Sequence, residues 1–230
     1  MKISIAALFP ELCESVLSAS ITGRAQQAGH ITFDYYNIRD YSTDKHRRVD
    51  DTPYGGGMGM LMKPEPVYDC WAEVCKKNGG RVHTIFMTPQ GKPFTQKRAV
   101  ELSEMDHILL VCGHYEGIDE RVIEEVCDEE ISIGDYVLTG GELAALVVAD
   151  AVARLCDGVL ADRSCFEEES HYKGLLEYPQ YTRPEIWREK KVPEVLLSGH
   201  HANIEKWRRE QSLEKTRKKR PDLLEKEVSK

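Results

Sequence analysis

Three loops of this 230-residue chain have the composition to hold a ligand on backbone groups. The longest, Ile133 to Leu143 (IGDYVLTGGEL), breaks an apolar run at Gly134, resumes it at Tyr136, Val137 and Leu138, and stops it at Gly140-Gly141. Glu142 then opens an apolar, helix-like stretch, so the N–H groups near Gly140 and Gly141 are expected to face a ligand from a helix N-terminus. Thr88-Pro89-Gln90-Gly91 follows the strand-like VHTIFM, and Cys112-Gly113-His114-Tyr115-Glu116-Gly117 follows HILLV. Each alone is an ordinary strand-to-helix turn. Three in succession predict a single cleft at the edge of a sheet, where α/β proteins place their ligands.

A fourth glycine-rich loop, DDTPYGGGMGM, invites a phosphate-binding reading, because consecutive glycines let backbone amides approach an anion. Neither GxGxxG nor GxxxxGK[ST] can be registered on Gly55, Gly56, Gly57 and Gly59, so dinucleotide-binding and Walker-type readings are disfavoured. Seven cysteines occur with no CxxC pair, which signals neither a zinc ribbon nor a thioredoxin-type site, and no metal site is assigned. With no basic, apolar leader and no uncharged run near 18 residues, no membrane association is expected, and a cytoplasmic protein with reduced thiols follows.

The formal charge of −8 argues at first against a nucleic-acid partner, but its distribution reverses that. Residues 183 to 220 carry 12 Lys and Arg against 6 Asp and Glu, a local +6 that leaves −14 on the rest. A basic C-terminal module on an acidic body is a partner-binding footprint, since Lys and Arg neutralise phosphates.

The elements that must position these loops follow from periodicity. Residues 2–8 and 31–38 read as strands joined by one helix ending near Gly29, and 64–77 as a helix with Pro66 in its first turn. Strand 82–87, helix 95–104 capped by Thr95, strand 107–112, a helix near 119–126 and strand 130–138, interrupted at Gly134, come next. Alternating strands and helices predict an α/β fold with a mostly parallel sheet covered on both faces. Glu142 to Leu155 is apolar on most faces and is expected to be buried. Periodicity fades between Cys156 and Lys173 as acids accumulate, marking a linker. Residues 203–219 read as a helix, and Pro221 starts a last short one.

Seven blocks, KISIAALFPE, RRVDDTPYGGGMGM, FMTPQGKPF, LVCGHYEGIDERV, SIGDYVLTGGELAAL, GLLEYPQYTRPEIW and VPEVLLSGHHANIEKWRREQSLEKTRKKRPDLL, run nearly end to end. Together the chain resembles the bacterial tRNA (guanine(37)-N1)-methyltransferases, of the knotted SPOUT superfamily, which use S-adenosylmethionine. The resemblance implies a SPOUT-type domain over residues 1–160 with a deep trefoil knot, a flexible linker over 161–174, and a small helical tRNA-binding domain over 175–230. It also implies a homodimer in which one subunit completes the site over the other's cofactor, with tRNA as partner.

Carried over residue by residue, the family's cofactor contacts fall on Met87, Pro89, Gly113, Tyr115, Glu116, Ser132, Ile133, Gly134, Tyr136, Leu138, Gly140 and Gly141. The loop carrying Gly55, Gly56, Gly57 and Gly59 is placed near the target base. Methylating guanine N1 requires removal of its proton while negative charge builds on O6, so a carboxylate and a cation are needed. The family's aspartate falls on Glu169, one methylene longer, with Glu168 its rival, and Arg154 matches the arginine that stabilises the purine. A magnesium requirement is associated with the family, and Glu116, Glu169 and Glu177 are its candidate carboxylates. Tyr181, Arg183, Arg208 and Arg209 combine charge with a stacking surface suited to an RNA loop, while the helical spacing of Trp207 assigns it to the core. A catalytically silent RNA-binding module of the same fold is the alternative, with Glu169 its only support.

Overall fold

The computed structural model describes residues 1–162 and 164–225. They fall into two compact units, divided between Ala161 and Asp162. The first is built on five parallel strands, β1 (Lys2–Ala7), β2 (Thr32–Asn37), β3 (His83–Pro93), β4 (His107–Cys112) and β5 (Glu129–Ser132), in the order β2-β1-β4-β3-β5. β4 is buried along its whole length, as a central parallel strand with both faces covered must be. Its near-continuous apolar run, HILLVC, is the sequence form of that position.

Helices lie on both faces. On one, α3 (Pro64–Asn78) and α5 (Glu120–Val126) cover a core that includes Ala6, Leu109, Val111, Val67, Val74 and Val122. Pro64 stands in the first turn of α3, where a missing N–H costs nothing, and Gly79 ends the helix at φ 76°. The other helices are α1 (Pro10–Leu17), α2 (Ser20–Gln27), α4 (Gln96–Ser103) and α6 (Glu142–Ala153). Of these α1 and α6 pack on each other and on β1, with α4 also against α6.

Three expectations need correction. The single helix between β1 and β2 is two, because the chain turns at Ser18-Ala19; a Cβ on Gly23 would sit 2.0 Å from the Ser18 carbonyl oxygen, so only glycine allows the second helix to fold back there. The strand expected over 130–138 ends at Ser132, and Tyr136, Val137 and Leu138 form an exposed loop with Val137 at 82% exposure. Helix α6 is buried over most of its surface, as expected, while Leu143 and Val147, one turn apart, are about half exposed. The strand expected over 82–87 continues to Pro93, but its register against β5 jumps between Met87 and Lys92, so Thr88 to Gly91 bulge out as the anticipated loop.

The short edge strand β5 is held by charge as well as by its ladder. Glu129, at its start, accepts hydrogen bonds from Arg98 of α4 and pairs with the His83 ring of β3. Burial works against ionisation of Glu129, but these partners hold its carboxyl below the usual range. Thr95 caps α4 by accepting from the Arg98 N–H, which fixes the root of that arginine.

In the second unit, α7 (Ser164–Glu167), α8 (Glu194–Leu197), α9 (His201–Lys219) and α10 (Asp222–Glu225) accompany a two-stranded ladder of Ile186–Trp187 with Lys190–Lys191. His200 stands at the N-cap of α9, and the Leu176 N–H donates to Thr216 Oγ1 of that helix. No helix among the described residues is long and apolar enough to cross a membrane.

Replacing Arg98 by Met should lower unfolding free energy by about 1–3 kcal/mol, because the partly buried Glu129 loses its main partner. A carboxyl held low when folded stabilises above its unfolded pKa of about 4.3 and loses that contribution as pH falls through the folded value. The stability gap between wild type and variant, measured by urea denaturation, should therefore narrow below about pH 4.

Candidate functional site

β5, β3 and β4 are neighbours in the sheet, so the loops that follow them emerge side by side at its carboxyl end. They enclose a cavity of about 470 Å3. All twelve residues assigned to cofactor contact line it, from Met87 and Pro89 through Gly113, Tyr115 and Glu116 to Ser132, Ile133, Gly134, Tyr136, Leu138, Gly140 and Gly141. The volume lies in the range of small-molecule sites. Thr88, Gln90 and His114 of the same loops also line it, and Leu61, Phe86, Ile118 and Ala144 are among the lining residues that the sequence did not single out.

Each loop is shaped by a local device. After β5, the Ser132 hydroxyl donates to the Gly134 carbonyl and accepts the Gly134 N–H, closing a tight turn. Gly134 has φ 151°, and a Cβ there would strike the Tyr136 ring at 2.5 Å. After β4, Tyr115 takes φ 59°, a left-handed conformation that a non-glycine residue holds at a cost. Its ring meets His114 edge-on at 5.0 Å, and its hydroxyl accepts from Arg39 at 3.4 Å.

At the N-terminus of α6, one of the donors expected to face a ligand is engaged within the protein. The Gly141 N–H donates to the Gly113 carbonyl at 2.8 Å, and His114 and Gly140 form an isolated antiparallel bridge. A Cβ on Gly141 would lie 2.8 Å from the Cys112 Cα, so glycine is required for this approach of two backbones. Beside them Glu142 is only 5% exposed and its Oε1 lacks a hydrogen-bond partner, as does the buried Nδ1 of His114. A lone acid heading an apolar run was the sole sequence signal of that burial.

The fourth glycine loop is divided by the structure. Gly55, Gly56 and Gly57 are exposed and do not line the cavity, whereas a Cβ on Gly59 would meet the Glu116 carboxylate. The segment after Gly59 is stitched to the β4 loop by Glu116 N–H to Met60 O, Met62 N–H to Gly117 O and Asp119 N–H to Met62 O.

Arg154 stands at the C-cap of α6, outside the cavity lining. Gly141 opens that helix, so the two lie about 20 Å apart at 1.5 Å per residue. Glu169 belongs to the second unit, just after α7, half-buried, with its N–H on the Phe166 carbonyl. Its rival Glu168 accepts the Tyr178 hydroxyl at 3.4 Å. Tyr181 is half exposed and 6.4 Å from the half-buried Trp207 ring, and Arg183 and Arg209 are exposed. Arg208 instead spends its charge within the unit, on Glu205 at 2.7 Å and over the Tyr178 ring at 4.9 Å. No group of three His, Cys, Asp or Glu placed to hold a metal ion is found among the described residues, and Gln180 donates to Glu177.

A family model described as tRNA (Guanine-1)-methyltransferase TrmD matches residues 1–226. Relatives named tRNA (guanine-N(1)-)-methyltransferase are similar over almost all of both chains. That of Ruminiclostridium cellulolyticum is 58% identical over 226 residues, 98% of this chain and 97% of its own. That of Lachnospira eligens is 54% identical over 230 residues, 100% and 98%, and that of Halalkalibacterium halodurans 53% over 225 residues, 98% and 92%.

Gly141→Ala should destabilise the protein by about 1–3 kcal/mol, because the added methyl overlaps fixed backbone. Gly80→Ala, where a Cβ meets nothing within 4 Å, should be neutral or raise stability by up to about 1 kcal/mol. Urea denaturation of the two variants checks the contrast; equal effects would mean that the β4–α6 contact yields.

Proposed function

The chain belongs to the tRNA (guanine-1)-methyltransferase family and methylates N1 of guanine in tRNA; from that premise we propose that its target is the guanine at position 37, 3′ of the anticodon. The observation that carries the reading is the convergence of twelve family-matched residues on one cavity of suitable size. Met87, Gly113, Ile133, Leu138 and Gly140 are among the residues that would hold S-adenosylmethionine there, which would supply a methyl group carried on a sulfonium. The wall is rich in backbone groups and apolar side chains, which can hold the adenine, ribose and carboxylate while keeping water from the methyl.

The chain's own residues then manage the proton and the charge. Glu169 takes the N1 proton of the guanine. Arg154 faces the purine O6, where negative charge builds. Arg154 lies outside its own chain's cavity lining, a helix length from Gly141, which is the difficulty for a role on a base above that cavity. A homodimer in which each subunit supplies Arg154 and Glu169 to the other's cofactor removes that difficulty. Leu12 and Val16 on α1, with Leu143 and Val147 on α6, are exposed apolar pairs on two helices that pack together, and they support such an interface. We further assign the deep trefoil knot to the first unit, supported by the family match over residues 1–226, and tRNA binding to the second unit, which holds the basic stretch 183–220. No metal donor set assembles among the described residues.

Methyl transfer from labelled S-adenosylmethionine to unmodified tRNA should occur with guanine at position 37 and not with adenine there. Labelling of neither substrate would sink the assignment. Glu169→Gln should reduce the rate by about 10²–10⁴, while Glu169→Asp keeps substantial activity. A Gln variant within threefold of wild type would move the proton to Glu168 or to solvent.

A further inference from the structure

The second unit holds one feature that the methyl-transfer chemistry does not use. Ile186–Trp187 pairs antiparallel with Lys190–Lys191, and directly paired residues share a face, so Trp187 stands beside Lys190 and Ile186 beside Lys191. All four are exposed, and Trp187 is 58% so. The Arg188 guanidinium lies 5.0 Å from the centre of the Trp187 ring. Between Arg183 and Lys191 the chain carries four cations against two carboxylates, in a protein whose net charge is −8.

The tip is also held in a costly shape. Arg188 and Glu189 have φ of 47° and 66°, the two left-handed residues of a tight hairpin turn that Asn-Gly makes easily and Arg-Glu makes under strain. A large exposed indole on a strained turn adds nothing to the core of the unit. A flat aromatic face flanked by a guanidinium and an ammonium group complements a single-stranded nucleotide, whose base stacks and whose phosphates take the charge. An acidic peptide would engage the cations and leave the indole uncovered.

We infer that the hairpin over Ile186 to Lys191 is an RNA-contacting tip, in which Trp187 stacks on an unpaired nucleotide of the tRNA other than the one methylated, while Arg188 and Lys190 meet the adjoining phosphates. The inference rests on the reading of the chain as a tRNA methyltransferase. It adds a contact surface to the arginines assigned from the sequence, and it falls where Arg208 is already engaged by Glu205 and Tyr178.

The test is the affinity of the full-length protein for labelled, unmodified tRNA, measured by anisotropy across a salt series. Trp187→Ala should weaken binding by about five- to tenfold, and Trp187→Phe should stay within about twofold of wild type, because stacking needs only a ring. Lys190→Glu with Lys191→Glu should weaken binding by more than about tenfold and flatten the salt dependence. Affinity for S-adenosylmethionine and the rate at saturating tRNA should not move in any of the three. Trp187→Ala within twofold of wild type, or Phe as weak as Ala, would overturn the hairpin assignment and leave the methyltransferase reading intact. A wild-type protein that neither binds nor methylates tRNA would overturn both.

Discussion

The Gly141 N–H to Gly113 carbonyl hydrogen bond, with the two backbones in van der Waals contact beside Cys112, is the constraint from which the rest of the first unit follows. It draws the start of α6 against the end of β4, so the chain between Ser132 and Gly141 must arch outward and return. That arch is the lip of the cavity. Because α6 starts there and runs on to Arg154, the same contact anchors the helix that carries Arg154 at its C-cap. A side chain larger than hydrogen at position 141 would push the two apart.

The electrostatics follow a similar division. The acidic first unit has its buried charges paired or sequestered, with Glu129 held by Arg98 and His83 and Glu142 enclosed near His114. Burial also drives the Cys112 thiol well up, so the cysteine beneath the cavity floor is a packing residue and not a nucleophile. The basic residues concentrate in the second unit, where several are spent internally, as Arg208 and Arg220 show. Charge counted along the sequence therefore overstates what is available to RNA, and exposed cations such as Arg183, Arg209, Lys190 and Lys191 remain to carry it.

Much of this was legible in the residues because burial on both faces leaves an unmistakable record. HILLVC reads as a central strand and PEPVYDCWAEVCKKN as a capped helix because each obeys one period. The cavity wall was legible through glycines, which mark the points where backbones meet. Periodicity failed where apolar residues are exposed: Tyr136, Val137 and Leu138 form an apolar run like a strand but belong to a loop, and Leu143 and Val147 face outward from a helix that composition says is buried. The hairpin at Trp187 left no signal, since its Arg-Glu turn lacks the glycine or asparagine by which such turns are recognised. The unpartnered Nδ1 of His114 and Oε1 of Glu142 depend on a meeting of distant loops that no local pattern encodes.

The central claim is that three carboxyl-end loops form one cavity built for S-adenosylmethionine rather than for a nucleotide cofactor. Isothermal titration of the full chain with S-adenosylmethionine, NAD and ATP tests it most directly. Saturable binding of S-adenosylmethionine with no heat from the other two is the predicted result. Binding of NAD or ATP without S-adenosylmethionine would contradict it.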